Sequence, residues 1–309
     1  MISGCLASCG FWVFLRRSRF SMLILHDPKC ADYGSSMRPE QPARVLKSAA
    51  HLRTAHPEWS WRVPAPATDE AILRVHTAAH LQRLDKPADF DDDTPFFEGI
   101  SDHARRAAGA AVLAAELAVM DRQRVFSLMR PPGHHATAEQ AMGFCYLNSV
   151  AIAAVHAREK LRVPRVAVWD FDAHHGNGTE EIVRGRPGIL FTSVHQLPGY
   201  PGTGSKSSRN CLNWPVAPRT PREAHLSALR ESLDAIVAFE PQLVLVSAGF
   251  DAFARDPITA MSLEQEDFGT LGRWLRETQL PAAAVLEGGY SGELPLLIDA
   301  FLFAWNNGA

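Results

Sequence analysis

Arg165-Val-Ala-Val-Trp-Asp-Phe-Asp-Ala-His-His-Gly-Asn-Gly178 is an apolar run that turns without a break into acids, imidazoles and glycine. Its opening, through Trp169, lacks the in-and-out alternation of a half-exposed antiparallel strand. A continuous apolar run of that length suits a central parallel strand covered on both faces. The same shape recurs along the chain. Arg124–Met129 runs into Arg130-Pro-Pro-Gly-His-His135, and Ile189–Ser193 runs into Val194-His195. Gln242–Ser247 runs into Ala-Gly-Phe-Asp251, and Ala282–Leu286 runs into Glu287-Gly-Gly-Tyr290. Leu23–His26 reads as the first strand of the series. Helical stretches lie between these runs. Ser101–Met120 is the first, and Ser149–Lys160 follows with Asn148 or Ser149 as N-cap. Pro221–Ala238 is entered through a capping Thr220 with Pro221 at its first position. Ser262–Thr278 has Ser262 and Gln265 in capping-box spacing. Alternating strands and helices predict an α/β fold with a mostly parallel sheet. In such sheets ligands sit beyond the carboxyl ends of the strands, so the five polar clusters are expected on one rim.

Bulk composition narrows the class further. The 309 residues are 46% hydrophobic and 21% charged, enough apolar material for a large core without disulfide staples. A net charge of −3, with no run of Lys or Arg, gives no basic footprint for direct nucleic-acid binding. The five cysteines, Cys5, Cys9, Cys30, Cys145 and Cys211, are scattered and form no CxxC, which speaks against a disulfide framework or a thiolate zinc site. A reducing cytoplasm fits that usage. Residues 1–21 stand apart: an apolar Ile2–Leu15 precedes Arg16, Arg17 and Arg19, the reverse of a secretory signal, and is too short to span a bilayer. The expectation is that they are a mis-annotated or disordered extension ahead of Met22, with a membrane anchor as the lesser alternative. No repeat or linker divides the remainder, so 22–309 reads as a single domain.

The rim residues point to metal-assisted hydrolysis. In Asp170-x-Asp172-x-His174, alternate residues of an extended segment face one side, so three side chains converge. Converging acids are expensive to desolvate unless a cation sits among them. Asp251, from another strand end, adds an oxygen. Three protein ligands with an open position is a catalytic rather than a structural zinc pattern, and sulfur-free ligation also admits Fe(II), Mn(II) or Co(II). His134 and His135 follow a Pro-Pro-Gly turn, with Asp170 and Asn177 as their nearest partners by motif. A carboxylate raises an imidazole's basicity whereas an amide only orients it, so the two rings are expected to differ in charge. Tyr290, lifted by Gly288 and Gly289, offers a hydroxyl to a developing oxyanion. Such a set hydrolyses an unactivated acyl bond with metal-activated water and needs no Ser or Cys nucleophile. A GxSxG elbow, a P-loop and a strand-linked GxGxxG are all absent. The glycine-rich Gly199–Gly204 reads as a rim loop.

Taken together, Arg130-Pro-Pro-Gly-His-His-Ala136, Gly143-Phe-Cys-Tyr-Leu-Asn148, Asp170-Phe-Asp-Ala-His-His-Gly-Asn-Gly178, Gly199-Tyr-Pro-Gly-Thr-Gly204, Gly249-Phe-Asp251 and Glu287-Gly-Gly-Tyr290 resemble the histone deacetylase superfamily in content, order and spacing. The resemblance covers essentially 22–309 and is nearest the class II and bacterial branch, given Pro-Pro-Gly and Asn177. It implies the arginase/deacetylase fold, a three-layer αβα architecture around an eight-stranded, mostly parallel sheet. It also implies zinc on Asp172, His174 and Asp251, His135 as general base and acid, His134 paired with Asp170, Asn177 orienting His135, and Tyr290 polarising the carbonyl. A structural potassium ion is implied at Asp170, Asp172, His174, Ser193 and Val194. Phe144, Tyr200 and Gly143 match the wall of the acyl-lysine tunnel, Asp93 a rim acid, and Arg44 an acetate-release channel. Ile258 stands where polyamine-selective members carry an acid. The implied substrate is an acylated lysine in a protein or peptide, with an acetylpolyamine or other N-acyl amine as the alternative. A non-catalytic acyl-lysine binder and arginase-like two-metal chemistry are the competing classes; the second lacks an acid at Phe253.

Overall fold

The computed structural model describes residues 22–307, so the expectation about residues 1–21 lies outside the described part of the chain. Eight strands are present among the described residues: β1 (Leu23–Leu25), β2 (Ser60–Arg62), β3 (Val125–Ser127), β4 (Val166–Asp170), β5 (Ile189–Gln196), β6 (Cys211–Val216), β7 (Leu243–Ala248) and β8 (Ala282–Leu286). They form one sheet in the order β2-β1-β3-β8-β7-β4-β5-β6, and every neighbouring pair is parallel. Every residue of β1, β3, β4, β7 and β8 is buried, as their unbroken apolar runs predict. The helices are α1 (Ala43–Ala55), α2 (Asp69–Ile72), α3 (Ala78–Arg83), α4 (Ile100–Met120), α5 (Ser149–Glu159), α6 (Asn177–Val183), α7 (Arg222–Phe239), α8 (Gln265–Glu277) and α9 (Leu294–Asn306).

Helices flank the sheet to make the expected three layers. The alanine-rich face of α4, from Ala104 to Ala118, packs on β3 and β8, and α5 lies beside it against β4 and β7. Small side chains let these helices approach the sheet closely. α7 covers β4–β6 and is tied down where Trp169 Nε1 donates to Ser232 Oγ at 2.9 Å. α8 and α9 pack on each other, and Phe301 of α9 sits edge-on to Phe171, at 5.4 Å between ring centroids, and to Phe250. Those two phenylalanines flank the acids of the rim, so this core supports the site from below.

Two helix starts differ from the sequence reading. α7 has Pro221 itself as its N-cap, with no side-chain cap bond, so Thr220 does not cap it. In α8 the capping box is Glu264 with Asp267 rather than Ser262 with Gln265. Ser262 Oγ instead donates to the Thr220 carbonyl at 2.7 Å, which ties the two approach segments together. A third difference concerns β5. It runs on to Gln196, so His195 is a buried strand residue held by Ser193 Oγ at 2.9 Å and the Gly204 carbonyl at 3.1 Å, and it is not part of the rim cluster.

Candidate active site

Four adjacent central strands, β3, β8, β7 and β4, deliver the polar clusters to one rim. β4 ends at Asp170 and leads straight to Asp172 and His174, β7 leads to Asp251, β8 to Glu287 and Tyr290, and β3 to the His134-His135 turn. Sequence-distant residues meet because their strands are neighbours in space.

Asp172, His174 and Asp251 offer ligand atoms that all lie within 4.8 Å of one another. His174 Nδ1 is 2.9 Å from Asp251 Oδ2 and 3.2 Å from Asp172 Oδ1. The remaining carboxylate oxygens are held by backbone: Gly288 N–H donates to Asp172 Oδ2 at 2.7 Å and Ala173 N–H to Asp251 Oδ1 at 2.8 Å. Both aspartates are wholly buried, and among the described residues no Lys or Arg forms an ion pair with either. Two buried acids without a permanent counter-cation, sharing one imidazole, suit a divalent metal. The effect on His174 is consistent: burial opposes its charge, but Asp251 and Asp172 hold its imidazolium well above the ordinary range. Glycine makes this closeness possible. A Cβ at Gly288 would stand 2.3 Å from Asp251 Oδ2 and 2.6 Å from Asp172 Oδ2, and one at Gly249 would stand 2.1 Å from Asp172 Oδ2.

The two histidines of the pair occupy different environments. Their ring centroids are 4.1 Å apart. His134 Nδ1 donates to Asp170 Oδ2 at 3.1 Å, and its Nε2 is 3.7 Å from Asp172 Oδ1. Burial disfavours its charge, but Asp172 and Asp170 outweigh that and push its pKa up to about 10. His135 Nδ1 donates to Asn177 Oδ1 at 2.8 Å. Burial, then the neighbouring His134 and His174, hold His135 well below the ordinary imidazole range. An amide oxygen accepts only, so a neutral His135 carries its proton on Nδ1 and a lone pair on Nε2.

A cleft of about 250 Å³ opens over these groups, lined by Arg38, Pro39, Asp93, His135, Gly143, Phe144, His174, Tyr200, Ile258 and Tyr290. Phe144 stands edge-on to Tyr290, at 5.7 Å, and Tyr200 edge-on to His135, at 5.0 Å. Asp93 is exposed at the mouth. Arg44 lies behind Tyr290, its guanidinium 4.7 Å from the ring centroid, beside a second cavity of about 140 Å³. Arg44 Nε donates to the Gly289 carbonyl at 2.7 Å, and Nη2 donates to the Glu287 carbonyl. Of the proposed potassium ligands, Asp170 is paired in register with Ser193, and Val194 follows it on β5.

Two supporting residues, Glu287 and Thr94, escaped the sequence reading. Glu287 accepts from Gly133 N–H at 2.6 Å and from His134 N–H at 3.2 Å, fixing the histidine turn, and its own burial pushes its pKa up to about 7. Phe144 adopts a left-handed φ of 68°, rare for an aromatic side chain, and its N–H is held by Thr94 Oγ1 at 3.1 Å. Gly289, with φ of 117°, supplies the turn before Tyr290, whereas Gly288 serves close approach. The acid in Glu287-Gly-Gly was a visible signal for the first of these; nothing local signals the second.

Comparison with known proteins agrees with the geometry. Residues 38–296 match a family described as the histone deacetylase domain. A histone deacetylase-like amidohydrolase of Pseudomonas aeruginosa is 37% identical over 278 residues, covering 84% of this chain and 73% of that one. An acetylpolyamine amidohydrolase of Mycoplana ramosa is 33% identical over 317 residues, covering 86% and 92%. The crystal structure of an acetylpolyamine aminohydrolase from Burkholderia pseudomallei superposes with a TM-score of 0.86 at 27% identity, covering 92% of this chain and 98% of that one.

Proposed function

The chain belongs to the histone deacetylase domain family, and from that premise we propose that it is a zinc-dependent deacylase of Nε-acyl-lysine in proteins or peptides, with residues 22–309 as one catalytic domain. One observation carries the proposal: His174 of the Asp172–His174–Asp251 triad, His135 and Tyr290 line one narrow cleft, with the His134 ring 4.1 Å from that of His135. A divalent cation held by Asp172, His174 and Asp251 would act as a Lewis acid and lower the pKa of bound water. Sulfur-free ligation also admits Fe²⁺, and metal analysis of native protein distinguishes the two.

His135 takes a proton from water on its free nitrogen and later gives it to the leaving amine. General acid and base work of this kind contributes about 10²–10⁴-fold. His134, charged and fixed by Asp170, keeps positive potential beside the reacting carbonyl. Asn177 holds the His135 tautomer, and the Tyr290 hydroxyl donates to the oxyanion. Phe144, Tyr200 and Gly143 enclose the four-carbon stem of the acyl-lysine by apolar contact, and Asp93 accepts from substrate backbone at the mouth. Potassium at Asp170, Asp172, His174, Ser193 and Val194, and acetate exit past Arg44, complete the assignment. We place the enzyme in the cytoplasm, a reducing compartment that suits the free, buried thiols of Cys30, Cys145 and Cys211.

Ile258 at the mouth favours a lysine substrate over a polyamine, because it offers a polycation no carboxylate. The second reading, an acylated polyamine, rests on the likeness to acetylpolyamine amidohydrolases. A panel of acetyl-lysine peptides against acetylputrescine and acetylspermidine separates the two. We expect kcat/KM to favour the peptides by at least about tenfold, as removing an ionic contact implies; preference for the polyamines overturns the substrate assignment.

A further inference from the structure

The peptide unit between Gly289 and Tyr290 is gripped on both sides. Its carbonyl accepts from Arg44 Nε at 2.7 Å, and its N–H donates to Asp256 Oδ2 at 2.7 Å. Asp256 is buried, at 7% exposure, and lies on the loop after β7, on an element separate from Tyr290. Its other oxygen, Oδ1, accepts from the Ile258 N–H at 3.1 Å, an Asx-type turn across Pro257. Ile258 lines the mouth of the same cleft that Tyr290 lines deeper in. The loop is anchored further where Thr259 Oγ1 donates to the Asp251 carbonyl and Ala260 N–H donates to Gln196 Oε1 at 2.8 Å.

From this we propose that Asp256 is a positioning residue for the deacylation, orienting the Tyr290 hydroxyl through the 289–290 peptide and coupling it to the Ile258 mouth. A peptide plane free to rotate lets the Tyr290 Cα–Cβ vector swing, because Gly289, at φ of 117°, imposes little restraint of its own. Arg44 holds one edge of that plane, and Asp256 the other. The hydroxyl lies across a six-membered ring from Cβ, and that lever magnifies any such rotation. Misplacement by about 1 Å at a reacting centre costs about 10²-fold in rate. The carboxylate is needed because it alone presents two acceptor oxygens to two N–H donors; an amide must turn its NH₂ toward one of them. The inference rests on the oxyanion role of Tyr290.

The test is a double-mutant cycle on zinc-loaded enzyme with an acetyl-lysine peptide. Asp256→Asn should lower kcat by about 10–100-fold with KM within about twofold, the pattern of an interaction realised only in the transition state. In a Tyr290→Phe background the same substitution should change kcat by less than about threefold, because the hydroxyl it positions is gone. Metal content and melting temperature are measured alongside, and Asp256→Ser is the second variant with the same expectation. An unchanged kcat in either folded variant overturns the positioning role. So does a full multiplicative loss on top of Tyr290→Phe, or a rise in KM at constant kcat, which would confine Asp256 to the mouth. If Tyr290→Phe alone leaves kcat intact, the catalytic reading fails and takes this inference with it; loss with Tyr290→Phe but not with Asp256→Asn removes this inference alone.

Discussion

The two ends of the same strands handle polar groups in opposite ways. At the amino ends, arginines cover backbone carbonyls where helices finish and strands begin. Arg165, just before β4, donates to the Glu240 carbonyl at 2.7 Å at the end of α7. Arg124, before β3, donates to Asn306 O at 2.6 Å at the end of α9, and Arg276 donates to Ala304 O at 2.7 Å. A cation there satisfies orphan carbonyls and suits the helix dipole. At the carboxyl ends, Asp170, Asp172, Asp251 and Glu287 are wholly buried, and among the described residues none forms an ion pair with Lys or Arg. Even cavity size favours the other end: the hollow lined by Arg122, Arg124 and Arg276 measures about 570 Å³ against about 250 Å³ for the cleft proposed as catalytic. Polar density alone therefore does not mark function. What marks it is buried charge left without a permanent partner, because that charge is available to a metal, a proton or a substrate.

If that contrast is right, the carboxyl end should fail at single atoms. Asp251→Ala removes one of the three proposed ligands and should abolish both bound metal and turnover; metal analysis that still finds one zinc per chain defeats the ligand assignment. Tyr290→Phe removes a single oxygen. It should cut kcat by about 10²–10³-fold with metal content unchanged, and steady-state kinetics with retained turnover would refute the oxyanion role.

The contrast also explains what could be read in advance. β3, β4, β7 and β8 are legible because burial on both faces demands continuous apolar runs, and the polar residues that follow stand out against them. β2 and β6 are not. They are the edge strands, β2 being only Ser60–Arg62, and β6 contains Pro215, which the edge of a sheet tolerates and its middle does not. The convergence of Asp172, His174, Asp251, the histidine pair and Tyr290 was legible because each sits two to eight residues past the end of a strand. Arg44, Asp93 and Ile258 were placed only through a family resemblance, as no local pattern distinguishes them. Asp256 and Glu287 act through backbone N–H groups of segments 34 and 154 residues away, contacts that exist only once the chain has folded.

Gly288→Ala sharpens the comparison without touching a ligand. The added methyl meets Asp251 and Asp172 oxygens at 2.3 and 2.6 Å, so the triad must open. We expect zinc affinity to fall by about 10–100-fold, the scale of disturbed metal support, read by competition with a chelator; wild-type affinity would show that the acids can shift freely. Glu180 is a milder case beside the site. It accepts from His175 Nε2 at 2.9 Å, Asn213 Nδ2 at 2.7 Å and Arg184 Nη2 at 2.6 Å. Burial acts to raise its carboxyl, but these donors bring the pKa down to about 2 from 4.5. A depressed carboxyl contributes stability in full above its unfolded value and loses it as pH falls through the folded one. Glu180→Gln should therefore cost roughly 2–3 kcal/mol at pH 7, with the gap to wild type narrowing below about pH 4.5 toward pH 2. A gap constant with pH in denaturant titrations would assign the loss to packing instead.

The smallest effect belongs to the amino end, and it is the one that can break the comparison. Arg165→Ala removes a guanidinium from the Glu240 carbonyl and an ion pair of 3.3 Å with the Glu240 carboxylate. The side chains are 41% and 79% exposed, so water screens both groups and takes over the vacated carbonyl. Exposed pairs of this kind contribute about 0.2–1 kcal/mol. Denaturant titration should find a loss within that range, and kcat and KM should not move. Yet Arg165 directly precedes β4, the strand that carries Asp170 at its far end. Were turnover or metal affinity to fall with this substitution, strain would be passing along the strand from one end to the other. The amino end would then belong to the site, and the division between an end that caps helices and an end that holds charge in reserve would no longer stand.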